Sequence, residues 1–152
     1  MATHRETRAI ARSPEYLYDI VADVERYPEF LPLVSAARII SRHEDTYETE
    51  QSLALGLLTH RFRTRTKLDR PRAITVISED RSFSRFHIRW NFSALDNDHC
   101  QVDFELDCET RLLLLKPVIK VLIMPMATSM VSAFEARAHA LARKAGLPDT
   151  RK

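Results

Sequence analysis

Residues 112–126 read LLLLKPVIKVLIMPM, and residues 127–141 continue with ATSMVSAFEARAHAL. The first of these two segments is apolar at almost every position, so a helix built from it would be apolar nearly all round and would need other elements to cover it. Its interruptions are two lysines and two prolines: Lys116, Pro117, Lys120 and Pro125. A long C-terminal helix buried against the rest of the chain is therefore the element around which the fold is predicted.

The second segment has the pattern of an amphipathic helix lying on a sheet. Met130, Phe134, Ala138 and Leu141 recur at helical spacing, while the charged residues fall largely on the other side. Gly146 can take the left-handed conformation that ends a helix, and Pro148 cannot continue it. Pro125 costs little in a first turn but about 3 kcal/mol inside a helix, so a break or kink is expected near Met124.

Membrane insertion is the alternative interpretation of the apolar segment. A crossing needs about 20 mostly apolar residues, and this run contains two lysines and two prolines before it becomes polar. We therefore do not expect a transmembrane span. Contact with a bilayer surface and gating of an apolar pocket both remain open.

Composition sets broad limits on the class of protein. A chain of 152 residues is expected to form a single domain, 1–152, large enough for a substantial core. With 23 basic and 21 acidic residues the net charge is +2, so composition gives no reason to expect DNA binding. The two glycines and the absence of low-complexity tracts argue against a phosphate-binding loop.

Two short helices are predicted after an opening strand at residues 3–12. Ser13 and Pro14 supply an N-cap and a first-turn proline, which is a strong helix start. That helix should end near Asp23, and the following stretch VERYPEFLP, residues 24–32, allows one further short turn. Its aromatic and aliphatic residues would point inward together: Tyr27, Phe30 and Leu31.

From residue 36 onward the apolar period changes to two, which is typical of strands joined by hairpins. The clearest case is residues 100–110, where apolar and polar side chains alternate strictly, so one face is buried and the other is wet. Acidic and basic rows on neighbouring strands would face each other and help to fix the register. The other strands are predicted at residues 37–43, 46–55, 61–69, 72–79 and 83–93.

These elements predict an α+β fold in which a curved antiparallel sheet of six to seven strands wraps around the long C-terminal helix. The methionines of that helix suit an irregular partner, and small or polar inner-face residues suggest an internal cavity. The predicted walls of that space are Phe62, Phe86, Trp90, Phe104 and Leu106 on the sheet, and Met126, Met130 and Phe134 on the helix.

Two motifs give the chain a family resemblance. Residues 21–32, VADVERYPEFLP, are similar to the signature of the coenzyme Q-binding protein family, a branch of the START-like superfamily that also contains polyketide cyclases and a ribosome-associating toxin. Residues 130–138, MVSAFEARA, are similar to the closing helix of that family. The toxin branch shares the Tyr-Pro-x-Phe-Leu-Pro core, so the motif identifies the family better than the function.

The resemblance implies a helix-grip fold and a tunnel for a hydrophobic ligand, which in the family is ubiquinone. Tyr27, Phe30 and Leu31 would then line the ligand entrance, with anchoring of a short helix as the structural alternative. Leu57 and Leu58 form an apolar tip that would act as a lid or membrane contact, or would pack on the N-terminal helices.

Catalysis has little support in the sequence. The six histidines show no metal-ligand spacing, and serine elbows and dinucleotide-binding fingerprints are absent. Cys100 and Cys108 would lie roughly 26 Å apart on one strand, beyond disulfide reach, and are expected to be core residues. Neither a catalytic residue nor a metal site is predicted.

The leading hypothesis is a non-enzymatic carrier or chaperone for a polyprenyl quinone, ubiquinone or a similar isoprenoid lipid, in support of respiratory electron transport. It requires no other cofactor. The protein is expected in the cytoplasm, with peripheral contact at the inner membrane. The alternatives are a ribosomal large-subunit-binding toxin, to which the basic row on strand 61–69 would contribute, and a cyclase-like enzyme that uses the same cavity.

Overall fold

A computed structural model describes residues 2–96 and 98–147 and contains one seven-stranded antiparallel sheet. The sheet order is β1-β7-β6-β5-β4-β3-β2, so six strands form a chain of hairpins and the first strand pairs with the last. The strands are β1 (Ala2–Ile10), β2 (Val34–His43), β3 (Thr46–Leu55), β4 (Leu58–Asp69), β5 (Ala73–Ile77), β6 (Arg85–Ala94) and β7 (Cys100–Glu109).

Helix α1 (Pro14–Ala22) and a 3₁₀ turn (Val24–Glu29) connect β1 to β2, as the sequence predicted. The Ser13 hydroxyl accepts a hydrogen bond of 3.2 Å from the Tyr16 amide, which caps the first turn of α1. Pro28 lies inside the 3₁₀ turn rather than opening a turn of its own. This connection places its aromatic residues against the C-terminal helix.

The C-terminal helical run has four parts: a short 3₁₀ segment (Leu113–Leu115), α2 (Lys116–Val118), a π-helical segment (Ile119–Ile123) and α3 (Met124–Lys144). The break that the sequence allowed near Met124 is absent: the π-helical segment ends at Ile123 and α3 continues directly from it. Pro125 falls in the first turn of α3, where the missing amide hydrogen is tolerated. Gly146 takes φ +74° and ends the helix, and Pro148 lies outside the described residues.

The apolar face of α3 forms the core with the inner face of the sheet. Leu122, Ile123, Ala127 and Val131 are completely buried, as are Cys100 and Leu106 on β7. By length and composition the run Leu113–Lys144 could cross a membrane, but its apolar side covers the sheet. The expectation of a core helix gripped by a sheet is confirmed.

The outer face of the sheet carries the cross-strand charge pairs that fix the register. Glu48 lies opposite Arg65 and Glu50 opposite Arg63, as the alternation predicted. Glu105 lies opposite Arg89, but Asp103 faces Asn91 and not an arginine. The predicted break at residues 56–60 is shorter than expected, because Leu55 pairs with Leu58 and Gly56, at φ +61°, tightens the turn.

Candidate functional site

The main candidate site is an enclosed pocket between the inner face of the sheet and α3. Its volume is about 30 Å³, which is on the order of the space of one water molecule. The lining residues are mostly apolar and come from α1, the 3₁₀ turn, four strands and α3: Val21, Val24, Tyr27, Tyr47, Gln51, Phe62, Thr64, Thr66, Ile74, Val76, Phe86, Ile88, Trp90, Met126 and Met130.

The expected tunnel is narrowed to this small pocket, because aromatic rings from both layers meet beside it. Phe134 of α3 lies with its ring centroid 5.2 Å from Trp90, 5.3 Å from Tyr27 and 5.0 Å from Phe30, in each case edge to face. Trp90 is also 4.7 Å from Phe104. These rings occupy part of the space that the sequence assigned to a ligand and leave the pocket beside them.

One side of the pocket is polar although it lies in the core. The Thr49 and Thr64 hydroxyls are 2.5 Å apart, and the Gln51 side-chain amide lies 3.2 Å from the first and 3.4 Å from the second. Because β3 and β4 pair Thr49 directly with Thr64, both hydroxyls reach the same point of the inner face. The half-buried side-chain amide of Gln51 is thus a polar group in the otherwise mostly apolar lining of the pocket.

Two tyrosines line the pocket near the end of α1. The hydroxyl of Tyr27 donates a hydrogen bond to the carbonyl of Val21, and that of Tyr47 donates to the carbonyl of Ala22 at 2.8 Å. Desolvation by burial raises the pKa of Tyr27 well above its ordinary value and also raises the pKa of Tyr47. Both phenols are therefore neutral donors across the physiological pH range.

A second, open space of about 350 Å³ lies on the other side of the π-helical segment. Ile119 and Met124 line this groove, whereas Met126, two residues further on, lines the enclosed pocket. The π-helical segment and the start of α3 therefore separate the two spaces. The remaining residues of the groove are Ala2, Cys108, Glu109, Thr110, Lys116 and Lys120.

The structure divides the predicted ligand-binding residues into three groups. Six line the enclosed pocket: Tyr27, Phe62, Phe86, Trp90, Met126 and Met130. Five pack around it without lining it: Phe30, Leu31, Phe104, Leu106 and Phe134. Leu57 and Leu58 lie at the tip of the β3–β4 hairpin, where Leu57 is fully exposed and Leu58 packs partly against the core.

Several pocket residues were missed by the sequence analysis. Ile88 lies on the same face of β6 as Phe86 and Trp90, so the alternation of that strand could have found it, whereas the buried face of the strand with Ile74 and Val76 was not assigned from the sequence. Val21 and Val24 could not be found in this way, because their position depends on how α1 packs over the sheet. Tyr47 was assigned to the inner face but not to the site.

The outer face of β4 carries a row of cations, Arg61, Arg63, Arg65 and Lys67, all of them exposed. Glu50 is shared by three guanidinium groups: Arg38 at 3.3 Å, Arg63 at 3.8 Å and Arg61 at 4.0 Å. One carboxylate cannot neutralise three arginines. The row is therefore cross-paired, as the sequence predicted, yet keeps an excess of positive charge.

The polar clusters elsewhere give little basis for chemistry. Burial raises the pKa of the Cys108 thiol to about 12 and that of Cys100 to about 11, so both thiols stay protonated and inert. Within the described chain, His87, Glu105 and Asp107 bring one ligand atom each within 4.8 Å of the others. Both carboxylates already pair with arginines, Glu105 with Arg5 and Asp107 with Arg85.

Comparison with known proteins identifies a family model and two kinds of relative for this chain. The family model described as polyketide cyclase / dehydrase and lipid transport matches residues 10–135. The chain is 35% identical over 142 residues to the ribosome association toxin RatA of Pseudomonas aeruginosa, covering 93% of this chain and 99% of that protein. It is 27% identical over 112 residues to a mitochondrial coenzyme Q-binding protein of Schizosaccharomyces pombe, covering 70% and 68% of the two chains.

Solved structures with low sequence identity share the fold. An aromatase/cyclase, Zhui, from Streptomyces superposes with a TM-score of 0.83 at 15% identity and covers 97% of this chain and 99% of its own. A START superfamily protein from Mycobacterium smegmatis gives 0.76 at 22% identity, covering 91% and 98%. Because the family model spans residues 10–135, the chain belongs to the polyketide cyclase / dehydrase and lipid transport family, and its sheet grips its helix as in these solved structures.

Proposed function

We propose that this protein is a non-enzymatic carrier that encloses an isoprenoid lipid between the sheet and α3, with ubiquinone as the expected cargo. The observation that carries the proposal is the enclosed pocket, whose lining is apolar except on one side. Similarity to a coenzyme Q-binding protein supports a quinone as the ligand. The lining contains no charged side chain among the described residues, which favours binding over acid-base chemistry.

The polar side of the pocket fits the head group of such a ligand. A quinone carbonyl is an acceptor, and the Gln51 amide can donate to it while the Thr49 and Thr64 hydroxyls remain paired with each other. The aromatic and methionine side chains elsewhere in the lining suit an isoprenoid tail, since each methylene removed from water contributes roughly 0.8 kcal/mol. The two parts of the pocket thus match the two parts of a polyprenyl quinone.

The closed conformation must open to admit a ligand of this size. The wall between the pocket and the groove consists of the start of α3 and the π-helical segment before it, Ile119–Ile123; Ile119 lines the groove and Met126 lines the pocket. Outward movement of this wall would join the open groove of about 350 Å³ to the enclosed pocket. Met124, Met126 and Met130 lie along the same wall, and their flexible side chains can adapt to open and closed states.

Lipid extraction and mass spectrometry of the purified protein would test the proposal directly. Trp90 is the single tryptophan and lines the pocket, so bound quinone should quench its fluorescence saturably. Gln51→Leu should weaken binding of the quinone, because the head group loses its donor. Absence of co-purified lipid, together with no quenching of Trp90 by added ubiquinone, would overturn the proposal.

A matched control is available on the opposite face of the sheet. Gln101 is half-buried on the outer face of β7, where its side chain lies 3.4 Å from Asp103. Gln101→Leu makes the same chemical change away from the pocket and should leave quenching unchanged. Equal loss of binding in the two variants would mean that Gln51 does not contact the ligand.

A second candidate function is binding to the large ribosomal subunit, as the similarity to a ribosome association toxin suggests. The excess of positive charge around Glu50 on the outer face of β4 favours it, since RNA is recognised largely through its phosphates. Replacing Arg61, Arg63 and Arg65 by Glu should abolish co-sedimentation with the subunit and leave Trp90 quenching intact. Unchanged co-sedimentation at moderate salt would exclude this surface as the contact.

A further inference from the structure

A cluster of exposed leucines forms one end of the molecule, and the pocket does not account for it. It combines the tip of the β3–β4 hairpin with the loop after β7, which runs into the short 3₁₀ segment Leu113–Leu115. Leu57 is completely exposed, and Leu114 and Leu113 are 91% and 78% exposed. We call Leu55, Leu57, Leu112, Leu113 and Leu114 the leucine end.

The hairpin tip and the loop are held next to each other by a chain of hydrogen bonds. His60, close to the tip, bonds through its ring Nε2 to the Ser82 hydroxyl at 2.8 Å. The Ser82 carbonyl accepts a bond of 2.6 Å from the Thr110 hydroxyl, which in turn accepts a bond of 3.2 Å from the Leu112 amide. The two leucine-bearing segments are therefore parts of one surface, and the backbone beneath them is fixed.

The support under this surface is rigid. Phe62, Phe83 and Phe86 pack with ring centroids 5.1–5.4 Å apart, and the His60 ring stacks on Phe62 at 6.0 Å. A leucine side chain that is fully exposed to water contributes no burial of apolar surface to the stability of the monomer. Its exposure indicates a partner that covers it.

The charges around the leucine end are mainly positive. Arg111, Lys116 and Lys120 flank the leucines on the loop and the first helical turns, and all three are exposed. No aspartate or glutamate occurs in residues 51–68 or in residues 110–134, which supply both leucine segments. Two acids are close to the residues that join the segments: Glu109, which lines the groove with Thr110, and Asp80, whose carboxylate accepts hydrogen bonds from Ser82 and from the Arg63 amide.

We propose that the leucine end docks on the surface of a bilayer that contains anionic phospholipids, with Leu57, Leu113 and Leu114 entering the boundary between head groups and acyl chains. Apolar side chains bordered by lysine and arginine are the pattern that partitions to such interfaces. The flanking cations would contact lipid phosphates. This surface does not depend on what the interior holds, so the proposal goes beyond the carrier function.

Vesicle co-sedimentation tests the proposal. The purified chain should bind vesicles of phosphatidylcholine mixed with phosphatidylglycerol more tightly than vesicles of phosphatidylcholine alone, and added salt should reduce the difference. The double variant Leu57→Asp, Leu113→Asp should lower the partition coefficient at least about tenfold, because two buried leucine contacts are lost and negative charge is added. Lys116→Gln with Lys120→Gln should lower binding to the anionic vesicles only.

Leu95 provides a matched control. It is 50% exposed and directly follows β6. The opposite end of that strand, Arg85, pairs with Glu109 beside the leucine end, so Leu95 lies far from the proposed docking surface. Leu95→Asp should leave vesicle binding unchanged. Equal vesicle binding by the wild type and the double variant would overturn the proposal. The proposal would also be wrong if neither protein bound vesicles, and if the wild type were a dimer that the double variant converted to monomers.

Discussion

Removal of the Phe134 ring tests the claim that the interior is closed by aromatic contacts. Phe134 is 2% exposed and makes three edge-to-face contacts, with Tyr27, Phe30 and Trp90, at centroid distances of 5.0–5.3 Å. A buried Phe→Ala change costs about 3–5 kcal/mol, and the loss of three ring pairs places Phe134→Ala toward the upper part of that range. For a chain of this size we expect the melting temperature to fall by roughly 8–16 °C.

Urea unfolding followed by the fluorescence of Trp90 is the appropriate assay. The single tryptophan lies against Phe134, so the native emission of Phe134→Ala should also shift to the red as the ring loses its cover. Phe134→Leu keeps much of the apolar volume and should lose only about 1–2 kcal/mol. A loss below about 1 kcal/mol in the alanine variant, with unchanged native emission, would show that these rings do not close the interior.

The same variant also bears on the carrier hypothesis. Deleting the ring enlarges the enclosed space next to the pocket, whose present volume is about 30 Å³. If room limits ligand entry, Phe134→Ala should bind ubiquinone faster than the wild type although it is less stable. Slower binding would place the limiting step elsewhere.

Three further predictions concern the pocket and its surroundings. Thr64→Val breaks the 2.5 Å hydroxyl contact with buried Thr49 and should cost about 1–2 kcal/mol, whereas the double change to valine should cost less than the sum of the two single changes in urea unfolding. Ser13→Ala removes the cap on the Tyr16 amide and should cost about 1 kcal/mol by thermal melting. Burial lowers the pKa of His60, so the folded state binds fewer protons than the unfolded state below the ordinary histidine pKa. The free energy of unfolding should therefore fall as the pH drops from about 6.5 toward the pKa of His60 in the folded state. His60→Phe should abolish this dependence in melting curves recorded at several pH values. An equally steep dependence in the variant would assign it to another group.

The sequence predicted the elements of the fold well where a local pattern determines them. Ser13 and Pro14 start a helix because capping depends on neighbours within one turn, and Gly146 ends one for the same reason. The alternation of β7 identified its buried face because strand geometry has a fixed period of two. These features need no knowledge of distant contacts.

The features that were not predicted depend on packing between distant segments. Small and polar inner-face residues suggested an internal cavity, but the 3₁₀ turn brings Tyr27 and Phe30 onto Phe134 and leaves only a small pocket. The pairing of the Thr49 and Thr64 hydroxyls depends on the β3–β4 register. The π turn before Pro125 was anticipated only as an irregularity, because its hydrogen-bond pattern has no clear sequence signature.

The antiparallel pairing of β1 with β7 has a consequence for synthesis of the chain. Residue Ala2 lies opposite Cys108, so the first strand must wait for the last one before it can join the sheet. The hairpins from β2 to β6 can form in order as they emerge, since each pairs with its neighbour in sequence. Until β7, which contains Cys108, has been translated, β1 of the nascent chain has no strand to pair with. During this interval the nascent chain would most need a chaperone.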